Sequence, residues 1–360
     1  MAVGAALLIG RELWLRRTVL FSKLLLKSHF QNILLFFFIV LISAINWAMH
    51  IDRANDATDF VPLFALMPLS LLCGAFMRAS DIKWLVLFIA FESLVGVLEF
   101  VSGVPSFIPG VADELINSTT SSLLYYRRAY GLSANSSILA VKCFIALLFL
   151  SHYKLRFRGW RVASLLVWLG ILVTFNRSVI FAVLAYYLLK SVYDAVFVHR
   201  SFRNHVVLLI AVCAALLIFS ALAIYFADEI VQQFTRGKGL DLSGRDKIWS
   251  FYSEFILKNP IWGNGMQKLF TPEGKHAHNS FLQSLASNGL IVTLLLLWFV
   301  FRNITLRNAA AVLSIILYSM TQYGIFWGIS LLDIALFAFL FGNPTDVDTR
   351  TNELQQDQFE

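Results

Sequence analysis

Four short stretches hold the side chains through which this chain could act on a ligand. Lys275-His276-Ala277-His278-Asn279-Ser280-Phe281-Leu282-Gln283 brings two imidazoles close together in the chain and leads into Ser287-Asn288-Gly289. Histidine, with an ordinary pKa of roughly 6.5, can accept a proton from a hydroxyl group at neutral pH. Two histidines could also ligate a metal. No nearby carboxylate or cysteine completes a set, so a base or hydrogen-bonding role outranks a metal site. A boundary histidine satisfied by water accounts for either residue taken separately.

The second stretch runs from Asp241-Leu242-Ser243-Gly244-Arg245 through Trp249 to Asn259-Pro260-Ile261-Trp262-Gly263-Asn264-Gly265. Ser243 can cap a helix, Ile248, Tyr252, Phe255 and Ile256 recur at helical spacing, and Pro260 stops the pattern. This predicts an amphipathic helix lying flat on a membrane surface. Gly263 and Gly265 allow a tight turn or a close backbone approach to a ligand. The third stretch, Tyr125-Tyr126-Arg127-Arg128-Ala129-Tyr130-Gly131-Leu132-Ser133-Ala134-Asn135, reads by itself as an interfacial anchor whose tyrosines and arginines reach the headgroups. The fourth, Thr174-Phe175-Asn176-Arg177-Ser178, sets a lone arginine between apolar segments. A charge so near hydrocarbon suggests a functional site, and a turn residue reaching water accounts for it equally well.

The elements that must position these groups are membrane helices. Of 360 residues, 58% are hydrophobic and 14% charged, and the mean hydropathy is +0.71, a balance no soluble domain of this length hides from water. A span needs roughly 20 apolar residues. Candidates lie near residues 31–50, 60–77, 84–101, 136–152, 161–176, 178–193, 206–227, 279–301, 308–323 and 326–342, about ten in all. Residues 11–27 mix Leu and Trp with five basic residues and read as an amphipathic segment on the cytoplasmic face, so residues 1–30 precede a single transmembrane domain over 31–342. Residues 343–360 read as a disordered polar tail. Cys73, Cys143 and Cys213 lie in apolar stretches without ligand or disulfide spacing and read as small buried hydrophobes.

The links Arg78–Lys83, Lys154–Arg161, Arg200–Arg203 and Arg302–Arg307 are short and basic. The positive-inside rule puts them in the cytoplasm with both termini. That accounts for the net charge of +7 without invoking nucleic acid, since the basic residues form no stripe. The same alternation places residues 51–59, 102–135 and 228–277 outside, the last being the longest polar stretch. Arg127, Arg128, Arg177, Arg245 and His278 then all face the extracytoplasmic space. Several arginines with few acids suit a diphosphate, because guanidinium forks bind phosphate oxygens bidentately and stay charged.

In chain order, Arg128-x-x-Gly131-Leu132 with Asn135, Asn176-Arg177-Ser178, Ser243-Gly244-Arg245-x-x-x-Trp249, Asn259-Pro260-Ile261-x-Gly263-x-Gly265 and His276-x-His278-Asn279-Ser280-Phe281-Leu282-Gln283 resemble the O-antigen ligase and polymerase family. The likeness covers roughly residues 124–300. It implies an all-α, polytopic, C-type membrane glycosyltransferase of the bacterial inner membrane. Such an enzyme works on the periplasmic side, transferring undecaprenyl-diphosphate-linked glycans to a saccharide acceptor with no cofactor and no metal. By the resemblance, Arg128, Arg177 and Arg245 hold the diphosphate, with Arg127 the second choice for the first position. His278 orients or deprotonates the acceptor hydroxyl, and His276, Asn279, Gly263 and Gly265 support it. Membrane lipids and a chain-length regulator protein are the further partners implied. Family members often have about twelve spans, so a count of about ten leaves an N-terminal pair absent or replaced by the amphipathic segment.

The motifs are shared by polymerases and ligases, and the compact outer segments lean toward a polymerase, since they offer no obvious surface for a large lipid A core. A transporter or flippase would use the arginines to line a pathway, yet the two halves show no self-similarity of the kind expected for inverted repeats. A noncatalytic scaffold leaves the arginines and the His-x-His-Asn run without a purpose.

Overall fold

The structure, a computed structural model, describes residues 27–50, 66–104, 106–108, 128–198, 245–326 and 330–342. The N-terminal amphipathic segment, the start of the 60–77 span, the 206–227 span, the first part of the 228–277 loop with Ser243, Arg127, Cys213 and the C-terminal tail lie outside the described residues. The secondary-structure elements among them are all helices: α1 (Lys27–Met49), α2 (Met67–Phe76), α3 (Ala79–Ser102), α4 (Ser136–His152), α5 (Trp160–Val173), α6 (Arg177–Tyr193, continued by a π-turn Asp194–Val198), α7 (Arg245–Lys258), α8 (Ser280–Arg302), α9 (Ala309–Thr321) and α10 (Leu331–Phe341).

The chain is an all-α polytopic membrane protein. Among the described residues, Gln31–Met49, Ala79–Ser102, Arg177–Phe197 and Ser280–Arg302 are long and apolar enough to cross a membrane, and α2, α4, α5, α9 and α10 are shorter apolar helices. Capping explains one difference from the apolar segments read off the sequence. In the 326–342 segment α10 begins at Leu331, where Ser330 caps it by accepting from Asp333 N at 2.9 Å, while the Asp333 carboxylate takes the Phe326 N–H at 2.9 Å.

By its internal contacts the chain divides into two compact units. One holds α1, α2, α7, α8, α10 and the second half of α9. Its spine is the antiparallel pair α1 and α8, tied near both ends by amides. Asn32 and Asn303 exchange hydrogen bonds of 2.7 and 3.2 Å. Asn46 Nδ2 donates to the carbonyls of Trp262 (2.9 Å) and Asn288 (3.2 Å), and Phe36 and Phe299 meet between them, 5.5 Å apart.

The α8 helix breaks at Gly289, whose φ of 78° and ψ of 175° are open to glycine and strained for any other residue. The released backbone groups are recaptured by the Pro260–Met266 turn: Asn264 N donates to Ala286 O at 2.8 Å, Met266 N to Ser287 O at 2.9 Å, and Leu290 N to Pro260 O at 2.9 Å. A Cβ on Gly263 would meet Gly289 N at 2.6 Å, one on Gly289 would collide with the Ile261 carbonyl, and one on Gly265 with His50. The close backbone approach that the sequence suggests at Gly263 and Gly265 is thus made to the protein itself.

The other unit holds α3 from Lys83, α4, α5, α6 and the first turns of α9. Its centre is α4, in which Cys143 through Leu150 are all buried, the mark of a helix surrounded on every side. The flanking helices turn large apolar side chains outward, among them Trp84, Phe88, Leu165, Phe181 and Leu184, as lipid-facing surfaces do. Cys73 and Cys143 are buried thiols. Two carboxylates on α3, Glu92 and Glu99, are fully buried.

Replacing Gly289 by alanine is expected to cost about 1–3 kcal/mol through backbone strain alone and to lower the thermal midpoint and folded yield of the purified protein. Differential scanning fluorimetry measures this, and an unchanged midpoint would refute the tight docking of the 260–266 turn on the break.

Candidate functional site

The amphipathic helix expected after Arg245 is α7. It buries Ile248 and Tyr252 against Ala277 and Ala286, with Phe255, Ile256 and Leu282 packed around them. This apolar seam carries polar pins. Trp249, one turn beyond Arg245, donates its indole N–H to the Ala277 carbonyl at 2.8 Å. Ala277 N donates to Gln283 Oε1 at 3.0 Å, Gln283 Nε2 to Leu269 O at 2.9 Å, and the Tyr252 hydroxyl to Leu269 O at 2.6 Å. The His-Ala-His segment is therefore held at its buried middle residue, leaving both imidazoles to project. Their ring centroids lie 4.2 Å apart. His278 takes a left-handed φ of 50°, an uncommon conformation for a residue other than glycine.

Asn279 then starts α8, its side chain accepting from Phe281 N (2.9 Å) and Leu282 N (3.1 Å) and donating to Met320 O at 2.8 Å. The following Ser280 hydroxyl accepts from Gly324 N at 2.9 Å. These bonds bring the end of α9 and its turn onto the head of α8. Arg245 joins them by donating from Nη1 to Thr321 O at 2.9 Å. Tyr323 places its ring 5.3 Å from that of His276, and Lys268 Nζ sits 4.9 Å over the same tyrosine ring.

The electrostatics of the cluster are cationic. Burial pushes the His278 pKa down to about 4, helped by the positive fields of His276, Arg245 and Lys275. Burial also lowers His276, with Lys268 and Arg245 adding to it. Both rings are neutral at pH 7, each with one nitrogen able to accept a proton or hydrogen bond. A neutral imidazole among ammonium and guanidinium groups can receive a proton from a hydroxyl while an adjoining anion is held.

Arg128 and Arg177 belong to the second unit. Asn176 caps α6 by accepting from Val179 N at 3.1 Å, making Arg177 the first residue of that helix. Ala129 N donates to Val173 O at 3.0 Å, which sets the Arg128 segment against the end of α5, just before the α5–α6 turn. Both arginines are half-buried. The structure thus gathers Arg245, His276, His278 and Asn279 in one unit, and Arg128 with Arg177 in the other. Sequence reasoning missed Lys268, Thr321 and Tyr323. Thr321 acts through its carbonyl, which leaves no mark on residue type, and Lys268 and Tyr323 stand outside every recognised motif.

Residues 162–297 match the O-antigen ligase family. That stretch contains Arg177, Arg245, Gly263, Gly265, His276, His278 and Asn279 and leaves Arg128 outside. No curated protein matches the chain.

In ligand-free protein the His278 ring is expected to titrate near pH 4, well below the ordinary 6.5. Arg245→Gln removes one of the positive fields and should move that midpoint upward. Histidine-ring NMR measures both, and a wild-type midpoint at or above 6.5 would sink this electrostatic assignment.

Proposed function

On the O-antigen ligase domain that residues 162–297 of this chain carry, we propose a polysaccharide polymerase that moves an undecaprenyl-diphosphate-linked glycan onto a sugar hydroxyl. The observation that carries this reading is the neutral His278 in the positive field of Arg245, with Lys268 acting on His276 beside it. In the reaction, the acceptor oxygen attacks the anomeric carbon as its proton passes to His278. The bond from that carbon to the diphosphate oxygen breaks, and the lipid diphosphate leaves with the electron pair. Its growing charge is met by Arg245, and the family resemblance gives Arg128 and Arg177 diphosphate-binding roles as well, with Arg127 as the second choice to Arg128. A direct displacement of this kind inverts the anomeric configuration. The guanidinium groups supply the charge stabilisation, so no metal and no cofactor is assigned.

Three further features belong to this proposal. The protein sits in the bacterial inner membrane with both termini cytoplasmic and the reaction on the periplasmic side, as the basic short links favour. His276 and Asn279 support His278. A chain-length regulator is the expected protein partner. The polymerase branch is favoured over ligation to lipid A core by the compact outer segments of the sequence.

The test is transfer by purified protein in vesicles supplied with an undecaprenyl-diphosphate-linked repeat unit. A ladder of lipid-linked oligomers is expected. It should fall about 10²–10⁴-fold in His278→Ala, about 10²–10³-fold in Arg245→Ala, and remain when EDTA is added. Transfer only to added lipid A core would replace the polymerase by a ligase. No turnover with either acceptor, combined with lipid movement across the vesicle, would overturn the enzyme in favour of a transporter.

A further inference from the structure

We propose that Glu99, a fully buried carboxylate on α3, is the positioning residue for Arg128, and so for the grip on the lipid-linked diphosphate; this rests on the role given to Arg128 above. Glu99 accepts three backbone hydrogen bonds from outside the helices. Oε1 takes the Phe107 N–H at 2.9 Å, and Oε2 takes those of Tyr130 at 2.9 Å and Gly131 at 2.7 Å. One side chain therefore binds the backbone at Phe107 and again at Tyr130 and Gly131, just beyond Arg128.

The neighbouring contacts serve the same purpose. Glu92 lies two helical turns before Glu99 and so on the same face of α3. It accepts from Lys142 Nζ at 2.8 and 2.9 Å and from the Ser133 hydroxyl. Gly131, at φ 58°, rests on the α3 backbone, where a Cβ would meet the Glu92 carbonyl at 2.7 Å. With Ala129 N bound to Val173 O, the chain on the C-terminal side of Arg128 is held at Ala129, Tyr130, Gly131 and Ser133.

A buried carboxylate inside an apolar helix is costly unless fully hydrogen-bonded, and ionisable groups retained in such helices mark function by default. What Glu99 obtains for its burial is backbone placement. A guanidinium that must form a bidentate bond to a diphosphate gains from a backbone held to within about 0.5 Å.

The test is binding of undecaprenyl diphosphate to the full-length protein in vesicles, comparing wild type, Arg128→Ala, Glu99→Gln and the double variant. Glu99→Gln replaces one acceptor oxygen by a donor and should raise Kd about tenfold through lost charge-assisted bonds. The double variant should bind no more weakly than Arg128→Ala alone, and acceptor KM should be unchanged in Glu99→Gln, neither of which a general loss of stability would produce. A folded Glu99→Gln protein with wild-type Kd, or additive losses in the double variant, would overturn the positioning role and leave the proposed activity intact. Wild-type binding by Arg128→Ala would overturn the reading of Arg128 on which it rests. Should Glu99→Gln not fold, hydrogen exchange of the wild type decides the matter. Slow exchange of the Tyr130 and Gly131 amides supports the clasp and fast exchange refutes it.

Discussion

A backbone amide that leaves a helix inside a membrane must find its partner within the protein, and the architecture around the segments of Arg128, Arg177 and His278 follows that requirement. At Gly289 the α8 helix gives up part of its own ladder, and the Pro260–Met266 turn supplies replacement donors and acceptors. At the starts of α4, α6 and α8 the replacement comes from Asn135, Asn176 and Asn279, each accepting from amides of the first turn. Between α3 and α4 it comes from Glu99. Three of these substitute partners stand beside residues of the proposed site: Asn176 precedes Arg177, Asn279 follows His278, and Glu99 binds the backbone just beyond Arg128.

The same economy of partners shapes the electrostatics of the His276–His278 cluster. The fields acting on the two rings come from Arg245, Lys268 and Lys275, and an anion between them would reverse the sign of the local potential. His278 is a weak base while the site is empty. On the proposed function, a diphosphate held beside it would strengthen that base, because a nearby negative charge favours the protonated ring, and donor binding would then be linked to base strength through one potential.

Much of this was legible in the sequence. The apolar segments 136–152 and 279–301 coincide closely with α4 and α8, and the spacing of Ile248, Tyr252, Phe255 and Ile256 revealed the seam of α7, because periodicity reports burial directly. The shorter helices were overestimated where a hydropathy window runs past a cap, as at Ser330. Asn135, Asn176 and Asn279 stood inside the motifs, but their role as caps needed the hydrogen bonds to be seen. Gly263 and Gly265 carried a signal for a tight turn or a close approach to a ligand, and the close approach in the structure is to the backbone of Ala286 and Gly289 and to His50. Tyr323 is brought to His276 from a distant part of the chain, Lys268 stands over that tyrosine ring, and Glu99 lies in an apolar segment outside every motif. Pairings of that kind have no local pattern to betray them.

The clasp made by Glu99 also bears on how such a protein can diverge. Once Phe107 and Tyr130 are both bound to one side chain, the number and identity of residues between them hardly affect where the chain from Tyr130 onward sits. Closing a longer loop costs only about 0.6 kcal/mol for each doubling of its length. Insertions and wholesale replacement in that interval can therefore accumulate at small energetic cost, while the register of the arginine at its far end is inherited unchanged. A lineage built this way can vary that interval without renegotiating the placement of the Arg128 segment.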